Sequence, residues 1–289
     1  MRRCNVKKIM FFTVVAVMAF VLTGCGEETA DGDEDLQIAV ISREEGSGTR
    51  DAFTNLTGVM VDDIDYTVDT AEISNSNAVV MQSVAGNEAA IGYISTGNYD
   101  ESVKMLKING VEPTAQNIKA DKYELQRSFS IVTKHDIDKL SQDFIDFILS
   151  KEGQKVIEEA GYVSVSETPE QYKASGYEGT ITVAGSTSVA PVIELLADDY
   201  KKLNNNVDIQ VQQTGSSAGI QGVVEGICDI GITSRSLKET EMKNDIKIIE
   251  IAKDGIAVIV NKNNALSDIS KEQVKRIFAG EITSWNDFN

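Results

Sequence analysis

The sequence predicts an α/β protein of layered helices and strands, with the strands largely parallel. Strand-like runs alternate with helix-like runs from residue 36 to the end of the chain, the pattern that crossover units leave. The composition, 42% hydrophobic and 25% charged over 289 residues, is that of a globular protein with enough chain for a proper core, in one large domain or two smaller ones. One polar stretch, "SVSETPEQYKASGYEGT" (164–180), breaks the alternation and reads as a linker or long loop.

The chain opens on a segment outside the fold. "MRRCNVKK" is a basic leader, and "IMFFTVVAVMAFV" is an apolar run too short for a comfortable membrane span. "LTGC" (22–25) follows, small residues ahead of a cysteine, and resembles a bacterial lipobox. A lipobox implies cleavage before Cys25 and lipid on Cys25, so residues 1–24 are expected to be a lipoprotein signal peptide. An ordinary secretory signal or an uncleaved anchor is the alternative. "GEETADGDED" is acidic with no apolar period, and residues 25–35 are expected to form a flexible tether.

The strand candidates come in the order "LQIAVIS", "AAIGYIS", "VKMLKI", "FSIVTK", "ITVAG", "VDIQVQQ", "CDIGIT", "IKIIEI" and "IAVIV". The helix candidates include "RDAFTNL", "QDFIDFILSKEGQKVIEEAG", "APVIELLADDYKKL", "AGIQGVVEG" and "KEQVKRIFAG". Gly161 and Gly280 stand where helix-ending glycines are expected. Trp285 reads as a packed aromatic, and Cys228, the one cysteine beyond Cys25, as a small buried hydrophobe.

Chemistry concentrates where strands hand over to helices. "REEGSGTRDAF" (43–53), "GSTSVAPVIELL" (185–196), "TGSSAGIQGVV" (214–224) and "DIGITSRSLKE" (229–239) all place small hydroxyl side chains at such points. The first N–H groups of a helix lack internal partners and carry partial positive charge, so these ends bind oxyanions readily. Arg43 adds a planar two-pronged cation suited to phosphate geometry, which Glu45 is placed to orient. Any one such serine or threonine serves by default as an N-cap. Four together, with an arginine, suggest a ring around one anion.

Several function classes are disfavoured. The net charge of −18 argues against a nucleic-acid partner. No Walker sequence and no G-x-G-x-x-G occurs. The single histidine, His135 in "TKHDID", reads as a solvated loop residue, and no His/Cys cluster suggests a metal. No catalytic residue, cofactor or metal is expected. A serine-based hydrolase or phosphatase is the competing reading of the hydroxyl turns.

Taken together, "GSTSVAP", "TGSSAGI", "DIGITSRSL", "IAKDGIAVIVNKNN", "IFAGEITSWNDF", "ISREEGSGTRDAF", "AIGYIS", "INGVEPT" and "FILSKEGQKVIEEAGYVSV" resemble the phosphate-binding proteins of bacterial phosphate ABC importers. The resemblance covers nearly the whole chain from Leu36 onward. It implies a two-lobed class II periplasmic-binding-protein fold with the anion between the lobes. It implies that inorganic phosphate is the ligand, that ABC permease subunits are partners, and that the chain is a monomer held to the extracellular face of the membrane by its lipid. Carried over by motif, the phosphate contacts fall on Arg43, Ser47, Gly48, Thr49, Thr187, Ser188 and Ser216. An aspartate that accepts the proton of hydrogen phosphate in some members corresponds to Ser234, which puts discrimination against sulfate in doubt.

The two halves stand in the opposite order from the family's. The chain therefore resembles a circular permutant joined through residues 164–180, the alternative being a fragment of a tandem or damaged gene. The lobes are expected to comprise 36–104 with 264–289, and 105–263. Binding of another oxyanion such as sulfate or molybdate, a sensor without transport, or a decayed duplicate are the further alternatives.

Overall fold

The computed structural model describes residues 36–166 and 168–288. The expected signal peptide, Cys25 and the expected tether lie outside them. The strand β1 (Ala39–Arg43) leads into the helix α1 (Gly48–Thr57), capped by Ser47. A hairpin of β2 (Met60–Val61) and β3 (Ile64–Asp65) turns on Asp62 and Asp63, both at positive φ. Next come β4 (Glu72–Ser74), α2 (Asn77–Gly86), β5 (Ala90–Ser95), β6 (Lys104–Met105), β7 (Lys107–Ile108) and α3 (Ala115–Lys119). The long β8 (Gln126–Lys134) is followed by α4 (Lys139–Leu149), α5 (Lys151–Glu159) and β9 (Val163–Ser164). After the polar loop come β10 (Gly179–Gly185), α6 (Ala190–Leu203), β11 (Val207–Gln213), α7 (Ser216–Glu225) and β12 (Ile230–Thr233). The described chain closes with β13 (Ile246–Val260), β14 (Asp268–Ile269), α8 (Lys271–Phe278) and a 3-10 turn at Trp285–Phe288.

One mixed sheet runs in the order β11-β10-β12-β8-β13-β5-β1-β4. Its two flanks are parallel, β10 with β11 and β12, and β1 with β4 and β5. The central strands β8 and β13 are antiparallel to each other and to their neighbours. Two separate cores define two lobes. One gathers Phe129, Phe144, Phe147, Ile193, Leu196 and Tyr200. The other gathers Phe53, Tyr93, Leu125, Ile256 and Phe278, with Phe53 stacked on Tyr93 at 3.9 Å between ring centroids.

The lobe boundaries differ from those expected at 104/105 and 263/264. Leu106, Ile108, Ile118, Tyr123 and Leu125 belong to the core of Phe53, and Ile256, Val258 and Val260 join them. Phe129, Ile131, Ile251 and Ala252 belong to the other core. The chain therefore crosses between lobes at 126–128 and 253–255, where β8 and β13 are paired Gln126 to Gly255, Arg127 to Asp254 and Ser128 to Lys253. The first crossing falls at the start of β8 and the second inside β13, just past a register shift between Glu250 and Ala252. The lobes are 36–125 with 255–288, and 126–254, except that Val163 of β9 packs into the core of the first.

Three further expectations change. "IKIIEI" and "IAVIV" form one strand, because the intervening Asp254 is buried against Arg127 rather than marking a turn. "VKMLKI" divides into β6, on β13, and β7, on β14. The helix expected over 142–161 breaks at Ser150, whose Oγ accepts from the Gly153 N–H at 3.3 Å to cap α5. The break brings α5 onto α4 so closely that a Cβ at Gly153 would lie 2.2 Å from the Phe147 carbonyl oxygen.

The polar loop is tied to its lobe. Tyr172 and Ser175 both donate to Asp143 Oδ2, at 2.6 and 2.8 Å, and the Lys151 N–H donates to the Glu170 carbonyl at 2.8 Å. The first and last described segments lie side by side. The Ile38 N–H donates to the Thr283 carbonyl at 2.7 Å, and the Trp285 N–H to the Leu36 carbonyl at 3.1 Å. Trp285 is buried, with Nε1 on the Ala89 carbonyl, and Cys228 is buried and free. Among the described residues no helix is long and apolar enough to cross a membrane.

Candidate functional site

Four strand ends converge where the lobes meet. β1 ends at Arg43, and the turn 44–47 leads into α1. β10 ends at Gly185, and the turn 186–189 carries Ser186, Thr187 and Ser188 into α6. β11 leads through Thr214 and Gly215 into α7, whose first residue is Ser216. β12 runs out into Ser234 and Arg235. The N-termini of α1, α6 and α7 thus face a common region.

Arg43 is 1% exposed. Its Nε and Nη2 donate to the two carboxylate oxygens of Glu44, each at 2.9 Å, and to the carbonyls of Ser74 and Asn75 at 3.1 and 3.3 Å. The orienting carboxylate is therefore Glu44 and not Glu45. Glu45 is exposed, whereas Glu44 sits beside the guanidinium. Nη2 also donates across the lobes to Thr187 Oγ1 at 2.9 Å. Nη1 is buried and has no hydrogen-bond partner. A buried cationic N–H without an acceptor is costly and marks where an anion is welcome. The Tyr93 hydroxyl holds the strand end from below, accepting from the Arg43 N–H at 3.1 Å, and burial pushes its pKa up to about 12.

The hydroxyls mesh across the interface. Thr49 Oγ1 and Ser188 Oγ are 2.7 Å apart. The Ser234 N–H donates to Ser216 Oγ at 3.2 Å. Gly48 abuts both of these serines, because a Cβ there would lie 2.2 Å from Ser216 Oγ and 2.6 Å from Ser234 Oγ. The Ser217 N–H reaches the Gly46 carbonyl of the other lobe at 3.2 Å. Ser47 stays on its own helix, where its Oγ accepts from the Arg50 N–H at 3.4 Å.

Several residues around this centre escaped the sequence reading. Asn77, at the start of α2, donates from Nδ2 to Ser188 Oγ at 3.0 Å and to Asn98 Oδ1 at 2.8 Å. Ser186 donates to Ser234 Oγ at 2.9 Å. Asp51 of α1 meets Arg235 Nε at 2.8 Å and Lys238 Nζ at 3.3 Å across the lobes. Arg235 is also held bidentately by Glu241. Burial pushes the Glu241 carboxyl up, but hydrogen bonds from Arg235 and Lys238 outweigh it and hold the pKa below its ordinary value. Asp51, Arg235 and Lys238 line an inter-lobe cleft of about 750 Å³ together with Met60, Ser128 and Leu237, beside the hydroxyl cluster and not containing it. Behind Ser234 lies the buried pair Arg127–Asp254, at 2.9 Å. Asp254 also accepts from Ser95 and Thr96, and Arg127 Nη1 points to the Ser234 carbonyl at 3.4 Å. Ser186, Asp51, Arg235, Lys238 and Asp254 stood inside quoted motifs without an assigned role; Asn77, Glu241 and Arg127 carry no local signal, since they act through side chains on other elements.

His135 is exposed, with Asp245 at 3.6 Å. No group of three or more potential metal ligands occurs among the described residues.

A two-lobed mixed sheet with helix N-termini and hydroxyls facing across the cleft defines a solute-binding class, and comparison with known proteins agrees. A family model described as a PBP superfamily domain matches residues 26–152 and 168–289. The chain belongs to the PBP superfamily and, within it, to the family of the PstS phosphate-binding proteins. It is 42% identical over 290 residues to phosphate-binding protein PstS 2 of Streptococcus agalactiae, covering 98% of both chains. The crystal structure of a phosphate-binding protein of a phosphate ABC transporter from Streptococcus pneumoniae shares 44% identity with a TM-score of 0.73, covering 88% of this chain and 100% of that one. PstS of Pseudomonas aeruginosa is 32% identical over only 134 residues, 41% of this chain and 42% of that one.

Proposed function

We propose that the chain is an extracellular, lipid-anchored solute-binding protein that takes inorganic phosphate between its lobes and delivers it to an ABC permease. The observation that carries this reading is the unpartnered, buried Nη1 of Arg43 among hydroxyls from both lobes. Arg43, Ser47, Gly48, Thr49, Thr187, Ser188, Ser216 and Ser234 supply the donors, with the free N–H groups at the helix starts. Binding is dehydration into preplaced donors followed by closure, with no covalent step. The names of the relatives support phosphate as the ligand. Anchoring through Cys25 rests on "LTGC" alone.

The order of the halves, which PstS 2 of Streptococcus agalactiae shares over 98% of both chains, we read as a circular permutation. Three observations support that reading: the pairing of 36–38 with 283–285, the surface loop 168–178, and the alignment of Pseudomonas aeruginosa PstS over less than half of either chain. Calorimetric titration of the purified protein with phosphate tests the ligand. Saturable binding at one site is expected, and its absence in a folded protein overturns the function. Mass spectrometry of the membrane fraction tests the anchor, which a mature N-terminus other than lipidated Cys25 refutes.

A further inference from the structure

We infer that Asp51 is a positioning residue for the anion: its carboxylate draws the lobes shut by pairing with Arg235 and Lys238, and so holds the turn before α1 against the start of α7. The inference rests on the proposed phosphate site and adds to it a carboxylate that acts through other groups.

Asp51 and its partners stand on opposite lobes. Asp51 lies in the first turn of α1, and its carboxylate is 2.8 Å from Arg235 Nε and 3.3 Å from Lys238 Nζ. Among the described residues these are its ion pairs, and neither cation belongs to its own lobe. Arg235 is placed differently, because its remaining partners are all within its lobe. Glu241 takes Nη1 and Nη2 at 2.7 and 2.8 Å, the Ser236 carbonyl takes Nη1 at 2.9 Å, and Ser217 Oγ takes Nη2 at 2.9 Å. Separating the lobes therefore leaves Arg235 paired and Asp51 alone. The largely buried pair of Asp51 with Arg235 belongs to the closed arrangement only.

The attraction is between charges, since neither Asp51 Oδ2 nor Arg235 Nε makes an aligned hydrogen bond. It falls off gradually with distance, so it pulls on the lobes before the short contacts of the anion site have formed. The pull is delivered to that site. Arg235 fixes Ser217, whose N–H donates to the Gly46 carbonyl of the other lobe at 3.2 Å. The Asp51 N–H donates to the Ser47 carbonyl at 3.0 Å. The segment 46–51, which carries Ser47, Gly48 and Thr49, is thus clamped at both ends. An interaction made in the closed state alone shifts the population toward it, and ligand affinity follows.

Charge alone gives the opposite sign. Asp51 is a negative group on a helix start that faces the anion, and removing its charge should by itself favour an anion there. The test uses that difference. Purified wild type, Asp51→Asn, Asp51→Glu, Lys238→Gln and the Asp51→Asn/Lys238→Gln double variant are titrated calorimetrically with sodium phosphate at one pH and ionic strength. Release of radiolabelled phosphate into excess unlabelled phosphate gives the rates, and thermal unfolding confirms each fold. Asp51→Asn is expected to bind phosphate about tenfold more weakly, through faster release. Asp51→Glu, which keeps the charge, is expected to recover part of the loss. Lys238 is exposed, and Lys238→Gln is expected to weaken binding by about two- to fivefold in the wild type and not at all in the Asp51→Asn background.

Equal or tighter phosphate binding by folded Asp51→Asn overturns the inference and leaves the phosphate site standing. A Lys238→Gln effect that persists in full after Asp51→Asn overturns it too. If Asp51→Asn does not fold, Lys238→Gln decides, and unchanged affinity there overturns it. No phosphate binding by the folded wild type overturns the phosphate reading itself, and the role of Asp51 with it.

Discussion

Replacing Arg43 by alanine tests the site most directly, because the structure limits what that side chain can give an anion. Its Nε and Nη2 are committed to Glu44, Ser74, Asn75 and Thr187, and only Nη1 is free. One hydrogen bond to a charged group contributes about 1.5–3 kcal/mol, which is about tenfold to two-hundredfold in Kd. A second effect adds to it. Without the guanidinium, Glu44 keeps its charge beside the anion, softened by water because its side chain is 29% exposed. Arg43→Ala with Glu44→Gln should therefore bind more tightly than Arg43→Ala alone, by roughly 1 kcal/mol or about fivefold. Titration calorimetry of wild type, both single variants and the double variant completes the cycle, with thermal unfolding to confirm the fold of each. Unchanged phosphate affinity in a folded Arg43→Ala protein would refute the site.

Gly48→Ala should cut phosphate affinity by at least about tenfold, since its Cβ would meet Ser216 Oγ at 2.2 Å and hold the lobes apart; unliganded melting should hold, and calorimetry beside thermal scans separates the two. Asp254→Ala leaves Arg127 charged and buried at the lobe crossing, and urea unfolding should register a loss of about 3–5 kcal/mol. Acid should destabilise the closed arrangement through Glu241, whose folded pKa lies below its ordinary 4.5. The unfolded chain then takes up the proton first, so this contribution is present above 4.5 and lost as pH falls through the folded value. Denaturation followed from pH 6 to about 3 should be less steep for Glu241→Gln than for wild type.

Local pattern and tertiary context divide the fold between them. The β11 run 207–213 and the α6 run 190–203 coincide with the elements observed, because strand and helix periods and their turn residues are properties of neighbours in sequence. The continuity of β13 is not such a property. "AKDG" puts two charges and a glycine between two strand-like runs, and only Arg127, more than a hundred residues away, allows Asp254 to be buried in a strand. The lobe boundaries were hidden for the same reason. In the site, the hydroxyl turns and Arg43 stood out because serine, threonine and glycine at helix starts are a local signal. Which of two adjacent glutamates orients Arg43 depends on the side of the turn that faces the guanidinium, and spacing does not encode that. Asn77 was invisible because it acts through Ser188 and Ser95, each on another element.

The hinge strands bear on the proposed permutation, because they would let the order of the halves change without altering the proposed site. The proposed anion site draws on four turns, one before α1 in one lobe and three, before α6, before α7 and after β12, in the other, and needs only that the lobes be joined by a hinge. β8 and β13 supply that hinge, locked in register by Arg127 opposite Asp254. Both strands lie wholly within 126–260, away from the ends of the described chain and from the polar loop. The pairing of Ile38 with Thr283 and of Leu36 with Trp285 is made by hydrogen bonds and by the burial of Trp285, not by a peptide link. Opening the backbone beside that pairing changes which surface loop is covalent and leaves the hinge and the proposed site as they were. Permutation is tolerated at exposed loops for this reason.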